Sequence, residues 1–472
     1  MRILIHGLNF APELVGVGKF TGEMAEWLAE SGHDVRAVTA PPFNPASRVA
    51  PGYSSWLYRR ENRVYHRAAD VSGQGWIQCE SGCVEASHAL PTGSGTASAT
   101  AEGGLLVSEA GSRSETRPVG RLSIFRCPLW VPRTPSAGKR ALHLASFAVS
   151  SFWSMLLQVP WRPQVVLVIE PTLFCAPSAW LTARWSGAKT WFHIQDFEAD
   201  AAFELGLLSS SQLRRLVCAL EKKCMQSFDR VSTISEKMWL RLAQKGLEPS
   251  RCLVFPNWVD TSAIFPLPNS NPLRAELGIP RDAVVALYSG TMAQKQGLDM
   301  LAGVARTLSS SSEIQFVFCG DGPAKPILAN LAAQMKNVRL LPLQPSNRLN
   351  ELLNLADIHL LPQRANAADL VMPSKLTGML ASGRPVVASA PSGTQLAEVV
   401  DGRGIVVPPE NGAAFAEAID QLASCAGLRE ELGRNARAYA VSNLEKNTVL
   451  RRFEHELLKL VSGMSEEPAL SS

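Results

Sequence analysis

The sequence predicts an α/β protein: two doubly wound, Rossmann-like units facing a central cleft. Three observations lead there. Short apolar strands alternate with helix-patterned segments from the N-terminus onward. The alternation halts at a Pro-rich stretch, Phe265 to Pro272, and then restarts. The segments that follow the strands are polar and rich in glycine, as in sheets that hold a ligand at their carboxyl edge.

The elements follow in order. Arg2 to His6 is strand-like, and Asn9 to Gly18 is a loop with Gly16 and Gly18. Lys19 to Ser31 carries Phe20, Met24, Trp27 and Leu28 at helical spacing, Gly32-His33-Asp34 ends it, and Val35 to Thr39 is the second strand. A glycine loop entering a helix after the first strand suits a nucleotide or sugar-phosphate fold. The spacing is not G-x-G-x-x-G and no acid ends the second strand, so no redox cofactor is expected. Further strands are Val165 to Ile169, Thr190 to Ile194 and Arg230 to Ile234, with helices over Ala179 to Ser186 and Leu213 to Phe228. After the Pro-rich stretch come strands at Ala283 to Tyr288, Ile314 to Cys319, Val338 to Leu341, Ile358 to Leu361 and Pro385 to Ser389. Asn435 to Val461 reads as a long helix that crosses back to the first unit. The expected division is therefore 1–262, 263–434 and a returning tail, 435–472.

Two segments depart from the alternation. Between about His66 and Ile124 the chain is rich in Gly, Ser and Ala with little apolar period, so 66–124 is expected to be a poorly packed or disordered insertion. Cys79, Cys83 and His88 lie in it, but a fourth ligand for a metal is missing. Leu142 to Pro160 is largely apolar, with His143, Ser146, Ser150, Ser154 and Gln158 forming a polar stripe behind Lys139 and Arg140. It reads either as a core helix or as a helix lying on an anionic membrane surface.

Composition narrows the class. The 472 residues, 46% hydrophobic and 19% charged, fit a folded protein of about two domains. A net charge of +4 is too small to imply a nucleic-acid partner. Nine irregularly spaced cysteines argue against a disulfide framework and for a reducing, cytoplasmic setting. Met1 to Gly7 reads as a strand, not a signal peptide. No Asp-x-Asp pair ends a strand of the second unit, and Asp196, Glu198 and Asp200 read as a helix start, so no metal is expected.

The most informative stretch is Asn366 to Val387. A strand runs into a polar loop ending Met372-Pro373-Ser374-Lys375, a short helix follows, and Gly383-Arg384-Pro385 leads into the next strand. A loop entering a helix with N–H groups, a Ser and a Lys can hold a phosphate, and it can also be an ordinary βαβ turn. This order resembles the donor segment of the family 4 glycosyltransferases, which have the GT-B fold. The resemblance extends over Asn9 to Glu13, Gly16 to Gly18, Cys127 to Pro132, His193 to Leu208, Phe255 to Asp260, Ser289 to Leu298 and Leu370 to Val387. In combination these motifs are similar to the WcaI-type colanic acid biosynthesis subgroup.

The resemblance implies retaining transfer of a sugar from a nucleotide-diphosphate donor to a lipid-linked or saccharide acceptor, peripheral to the inner face of the membrane. For this subgroup it implies fucose from GDP-fucose. It implies donor contacts at Gly16, Gly18, Gly290, Thr291, Asp369, Pro373 and Ser374, and a cation from Lys295 or Lys375 on the departing diphosphate. It puts His193 beside the donor sugar, with a buried capping His as the alternative. Glu13 either orients the acceptor hydroxyl or is a solvated loop acid. The chain also departs from the family. Leu370 and Gly378 stand where two glutamates are usual, Thr291 replaces an Arg, and Lys295 is one position from the usual Lys. A sugar-nucleotide epimerase or hydrolase, or a non-catalytic homologue, stays open on the sequence alone.

Overall fold

The computed structural model describes every residue except 14–15, 45–47, 68–75, 81–117, 133–136, 171–172, 198–210, 268–270, 294–295, 310–312, 365–371 and 464–472. The first sheet comprises β1 (Arg2–Gly7), β2 (Asp34–Thr39), β3 (Arg59–Arg67), β4 (Trp76–Glu80), β5 (Pro118–Arg126), β6 (Val165–Ile169), β7 (Lys189–Ile194), β8 (Arg230–Thr233) and β9 (Cys252–Val254). Its strand order is β4-β3-β5-β2-β1-β6-β7-β8-β9. β3 is antiparallel to both neighbours; the other pairs are parallel. The second sheet comprises β10 (Val284–Ser289), β11 (Ile314–Cys319), β12 (Val338–Leu341), β13 (Ile358–Leu361), β14 (Val386–Ser389) and β15 (Gly404–Val407). It is parallel throughout, in the order β12-β11-β10-β13-β14-β15.

Parallel strands are apolar throughout because helices cover both sheet faces. On β1, Leu4 points into a core shared with the helices Ala137–Leu156 and Ala176–Ser186. Its neighbours Ile3 and Ile5 point the other way, onto the helices Val17–Glu30 and Lys446–Ser462. In the second sheet Ala286 and Tyr288 face the helices Leu298–Thr307, Lys325–Gln334 and Gly412–Ser424, and Val285 and Leu287 face the opposite side.

Three expectations change. The segment 66–124 is not all loop: Trp76–Glu80 pairs with β3, and residues 118–124 lie in β5 between β2 and β3. Pairing supplies hydrogen bonds that the edge of β3 would otherwise lack. Cys83 and His88 fall outside the described residues. The returning tail is two helices, Ala426–Asn443 and Lys446–Ser462, not one. The break occurs where Glu445 caps the second helix, accepting from Asn447 N and Thr448 N at 2.9 and 2.6 Å. Val259 N donates to Leu444 O at 2.8 Å, and Lys446 N to Val259 O at 3.0 Å. The chain thus leaves the first sheet and returns to it at one backbone clamp. The third change concerns the helix after Lys139. It spans Ala137–Leu156, and its polar stripe faces inward, with His143, Ser151, Ser154 and Gln158 buried.

Helix Lys446–Ser462 docks through Phe453, which stacks on Phe255 at 4.2 Å and meets Trp191 edge-on at 5.0 Å. We expect Phe453→Ala to cost about 3–5 kcal/mol, because a large buried ring leaves a cavity on the face of the first sheet. Chemical denaturation measures it. A loss below about 1 kcal/mol would mean the helix only rests on that face.

Candidate active site

Both sheets reverse their strand order at their first strand: β1 lies between β2 and β6, and β10 between β11 and β13. Loops on the two sides of such a point diverge and leave a crevice at the carboxyl ends of the strands. A cleft of about 1550 Å³ lies there, lined from the first unit by the loops after β1 and β2 and from the second by the loops after β10 and β13.

The first wall is held by buried polar braces. Glu13 is buried and accepts from Phe43 N and Asn44 N at 3.1 Å each and from Asn9 Nδ2 at 3.0 Å. Both oxygens are thus engaged: Oε1 joins the loop after β1 to the loop after β2, and Oε2 is held by Asn9 within its own loop. Burial pushes its pKa up, and the two backbone N–H groups oppose that. Of the two readings made from the sequence, a solvated loop acid does not match this buried side chain, while Glu13 does line the cleft, where the other reading has it orient an acceptor hydroxyl. Arg126, at the end of β5, donates to Ala11 O and to Ala40 O, tying the same two loops from behind.

Gly16 and Gly18 separate in role. Gly16 lines the cleft with φ +66°, ahead of the helix Val17–Glu30, in the region that favours glycine. Gly18 is already inside the helix and buried. A Cβ there would overlap Glu13 Oε2, so Gly18 makes room for the brace and does not line the cleft.

His193, near the end of β7, is also set back from the cleft. Its Nδ1 lies 2.9 Å from Ser232 Oγ, which takes a 2.8 Å bond from Trp191 Nε1. Gln195 Nε2 donates to His193 Nε2 at 2.9 Å and to Asn257 Oδ1 at 3.2 Å, and Gln195 and Asn257 line the cleft. Burial lowers the His193 pKa to about 3, so the ring is neutral at any ordinary pH. It is buried, as the alternative reading of a capping His expects, and it reaches the cleft lining through Gln195.

The second wall carries a single charge among its described residues. Gly290 follows β10 with φ +123°, and Thr291 comes next; both line the cleft. The helix Lys375–Ala381 begins behind Pro373 and Ser374, which also line it. Lys375 Nζ lies 4.0 Å from the centroid of the Tyr288 ring and donates to Gln296 Oε1 at 3.2 Å. The side chain is half-buried, yet desolvation of its ammonium end lowers the pKa to about 7. Among the described residues no carboxylate pairs with it. Lys295 and Asp369 fall outside the described residues. Gly378, where a family glutamate is usual, lines the cleft.

Sequence reasoning missed several lining residues: Asn44, Gln195, Asn257 and Gln363, and Arg140 and His143 from the helix Ala137–Leu156. The available signal was position, since most of them follow the carboxyl end of a strand. Among the described residues no group of three or more His, Cys, Asp or Glu could hold a metal ion, and no helix is long and apolar enough to cross a membrane.

Two family models match the two units: Glycosyl transferase 4-like domain over residues 85–258 and Glycosyl transferases group 1 over residues 269–439. An Escherichia coli K12 protein named as a colanic acid biosynthesis glycosyl transferase, WcaI, is 36% identical over 467 residues, covering 97% of this chain and 100% of that one. The chain belongs to this glycosyltransferase family. A D-inositol 3-phosphate glycosyltransferase of Acidothermus cellulolyticus is 33% identical over 43% of this chain and 47% of its own. Among solved structures, sucrose-phosphate synthase of Thermosynechococcus elongatus superposes with a TM-score of 0.68 at 14% identity, covering 98% and 100% of the two chains. Anabaena HepE, solved with UDP and glucose, gives 0.61 at 13%, covering 97% and 100%. The fold is GT-B, and the chain is a glycosyltransferase.

The brace at Glu13 yields a test. We expect Gly18→Ala to cost about 1–3 kcal/mol by pushing Glu13 off the Phe43 and Asn44 amides. Thermal unfolding, with Gly22→Ala as a second crowded position against Ala11, measures it. A Gly18→Ala protein as stable as wild type would show that the loop yields freely.

Proposed function

We propose that the enzyme moves a sugar from a nucleotide-diphosphate donor on the second wall to a saccharide acceptor on the first. One observation carries the reading. On the second wall Lys375 is the only charged residue among the described cleft-lining residues, and it stands beside Gly290 and the start of a helix. A single desolvated cation with no acid facing it suits an anion, and in sugar transfer the anion is the departing diphosphate.

The bond from the sugar's anomeric carbon to the diphosphate breaks as the bond to the acceptor oxygen forms, and the acceptor hydroxyl's proton passes to the departing diphosphate. Lys375 takes up the charge that develops on the leaving oxygen, with Ser374 and the Gly290–Thr291 backbone alongside. Gln195 and Asn257, held by His193, orient polar groups across the cleft. Glu13 keeps the acceptor wall rigid. Lys295 and Asp369, outside the described residues, are further donor contacts in this reading.

The relation to WcaI supports a place in colanic acid-type exopolysaccharide assembly, with a lipid-linked acceptor at the inner membrane face. Retention of anomeric configuration is part of this reading, and fucose from GDP-fucose is the donor we would test first. Incubation with GDP-, UDP- and dTDP-sugars and a lipid-linked acceptor, followed by mass analysis and anomeric assignment, decides it. Free sugar without acceptor product would indicate a hydrolase and sink the transfer reading.

Lys375 adds a pH signature. Its pKa of about 7 means the empty cleft loses the ammonium as pH rises through neutrality. A diphosphate favours the charged form, so binding must take up a proton above that point. We expect GDP or UDP affinity to fall between about pH 7.5 and 9, by up to tenfold per unit, above the range where phosphate itself titrates. Calorimetry should find the slope abolished in Lys375→Ala, with turnover lower by roughly 2–4 kcal/mol of transition-state stabilisation. Wild-type turnover in the folded variant would remove Lys375 from the mechanism.

A further inference from the structure

Two helices on one face of the first sheet bury apolar and polar side chains inward and still leave large apolar ones outward. In Ala137–Leu156 the polar stripe is turned toward the protein. His143 Nδ1 meets Trp130 O at 2.6 Å, Ser150 Oγ donates to Pro128 O at 2.6 Å, and Gln158, just beyond the helix, accepts from Arg36 Nη1 at 2.8 Å. The outward stripe is apolar: Leu142, Val149, Trp153 and, just past the helix, Leu157 are 58, 71, 66 and 74% exposed. The helix Ala176–Ser186 packs against it and repeats the pattern. Ser178 and Thr182 are buried and spend their hydroxyls on Cys175 O and Ser178 O, while Phe174, Trp180 and Trp185 are exposed. Trp56, Leu57 and Tyr58 extend the patch, since Tyr58 Oη donates to Ser150 O at 2.9 Å and all three are exposed.

An apolar stripe left in water gains nothing from folding, and a contiguous patch of this kind marks a contact with something outside the chain. Charge selects the partner. From Ala137 to Gly187 the only acid is Glu170, which is buried, whereas Lys139, Arg140, Arg162 and Arg184 are exposed. A second copy would bring like charges together. A bilayer with anionic headgroups receives both components: tryptophans at the headgroup level and basic side chains among the phosphates.

We propose that this two-helix face docks the enzyme on an anionic lipid bilayer. The proposal rests on the transfer reading above for its purpose and deepens it by naming the surface. Arg140 and His143 line the cleft from the same helix that carries Leu142 and Trp153 outward. Docking on this face therefore sets the first wall of the cleft, where the acceptor enters, at the bilayer. Of the two readings made from the sequence, a core helix and a helix on an anionic membrane surface, the proposal takes the second and adds that its polar stripe faces inward.

The test is co-sedimentation of the full chain with vesicles of phosphatidylcholine alone or enriched in phosphatidylglycerol. Binding to the anionic vesicles, partly released by salt, is expected, with weak binding to the neutral ones. Trp153→Glu combined with Trp185→Glu should lower the partition about tenfold or more. Neither residue lines the cleft, so GDP and UDP affinity should stay unchanged. Wild-type protein that ignores anionic vesicles, a double variant that sediments like wild type, or a dimer that the double variant splits without any vesicle binding would each overturn the proposal. Lost vesicle binding with intact nucleotide binding defeats only this inference; lost nucleotide binding with intact vesicle binding defeats only the transfer reading.

Discussion

A parallel sheet sends all its carboxyl-end loops to one edge, and a chain that winds outward from its first strand must part them there. That constraint acts twice, at β1 and at β10, and every feature of the cleft depends on it. The loops that diverge after β1 and β2 build one wall; those after β10 and β13 build the other. The two sheets meet through little regular structure. The backbone bonds of Val259 with Leu444 and Lys446 clamp the two strands of chain that connect them. Lys237 adds an ion pair to Glu398 at 2.7 Å, and Arg437 donates to Thr261 O and Ile264 O beside the clamp.

Loops at a crevice cannot be covered by apolar packing, so they are held by buried hydrogen bonds. Glu13 and Arg126 each bind backbone groups of more than one loop, and His193 reaches Asn257 through Gln195. Groups of this kind cost free energy to bury and return it only when every partner is in place. They therefore act as switches of geometry more than as sources of stability. Glu13 illustrates the order of dependence. Its seat exists because Gly18 has no Cβ, and the loop after β2 takes its path because Glu13 is seated.

What the sequence made legible was what period and punctuation encode. Apolar runs such as Val165 to Ile169 and Ile314 to Cys319 are strands to within a residue, because a strand buried on both faces has no other reading at that length. The donor segment was legible as a strand, loop and helix start. The orientation of an amphipathic helix was not. The serines after Lys139 marked a stripe, but only the carbonyls of Pro128 and Trp130, and the side chains on the neighbouring strands, decide that the stripe faces inward. Trp76–Glu80 escaped notice because five residues in a Gly- and Ser-rich setting carry too little period. The helix break at Leu444 escaped because its cause is Val259, far away in sequence. Glu13 and His193 were correctly located near strand ends, yet sequence does not say which neighbours will claim a polar atom first.

The two walls of the cleft differ in a way that orders the chemistry. The first wall is crowded with charge of both signs: Glu13, Glu23, Glu26 and Asp196, with Lys19, Arg48 and Arg140. The second, among its described residues, offers Lys375 alone. Thr291 and Gly378 stand there in place of longer charged side chains. Among the described residues no carboxylate pairs with this ammonium, which lies over the Tyr288 ring. Desolvation lowers its pKa to about 7. On the proposed reading, a diphosphate would gain more from this charge than from the same charge in solvent. The sparse second wall is thus organised around one desolvated charge, and the crowded first wall is organised around shape.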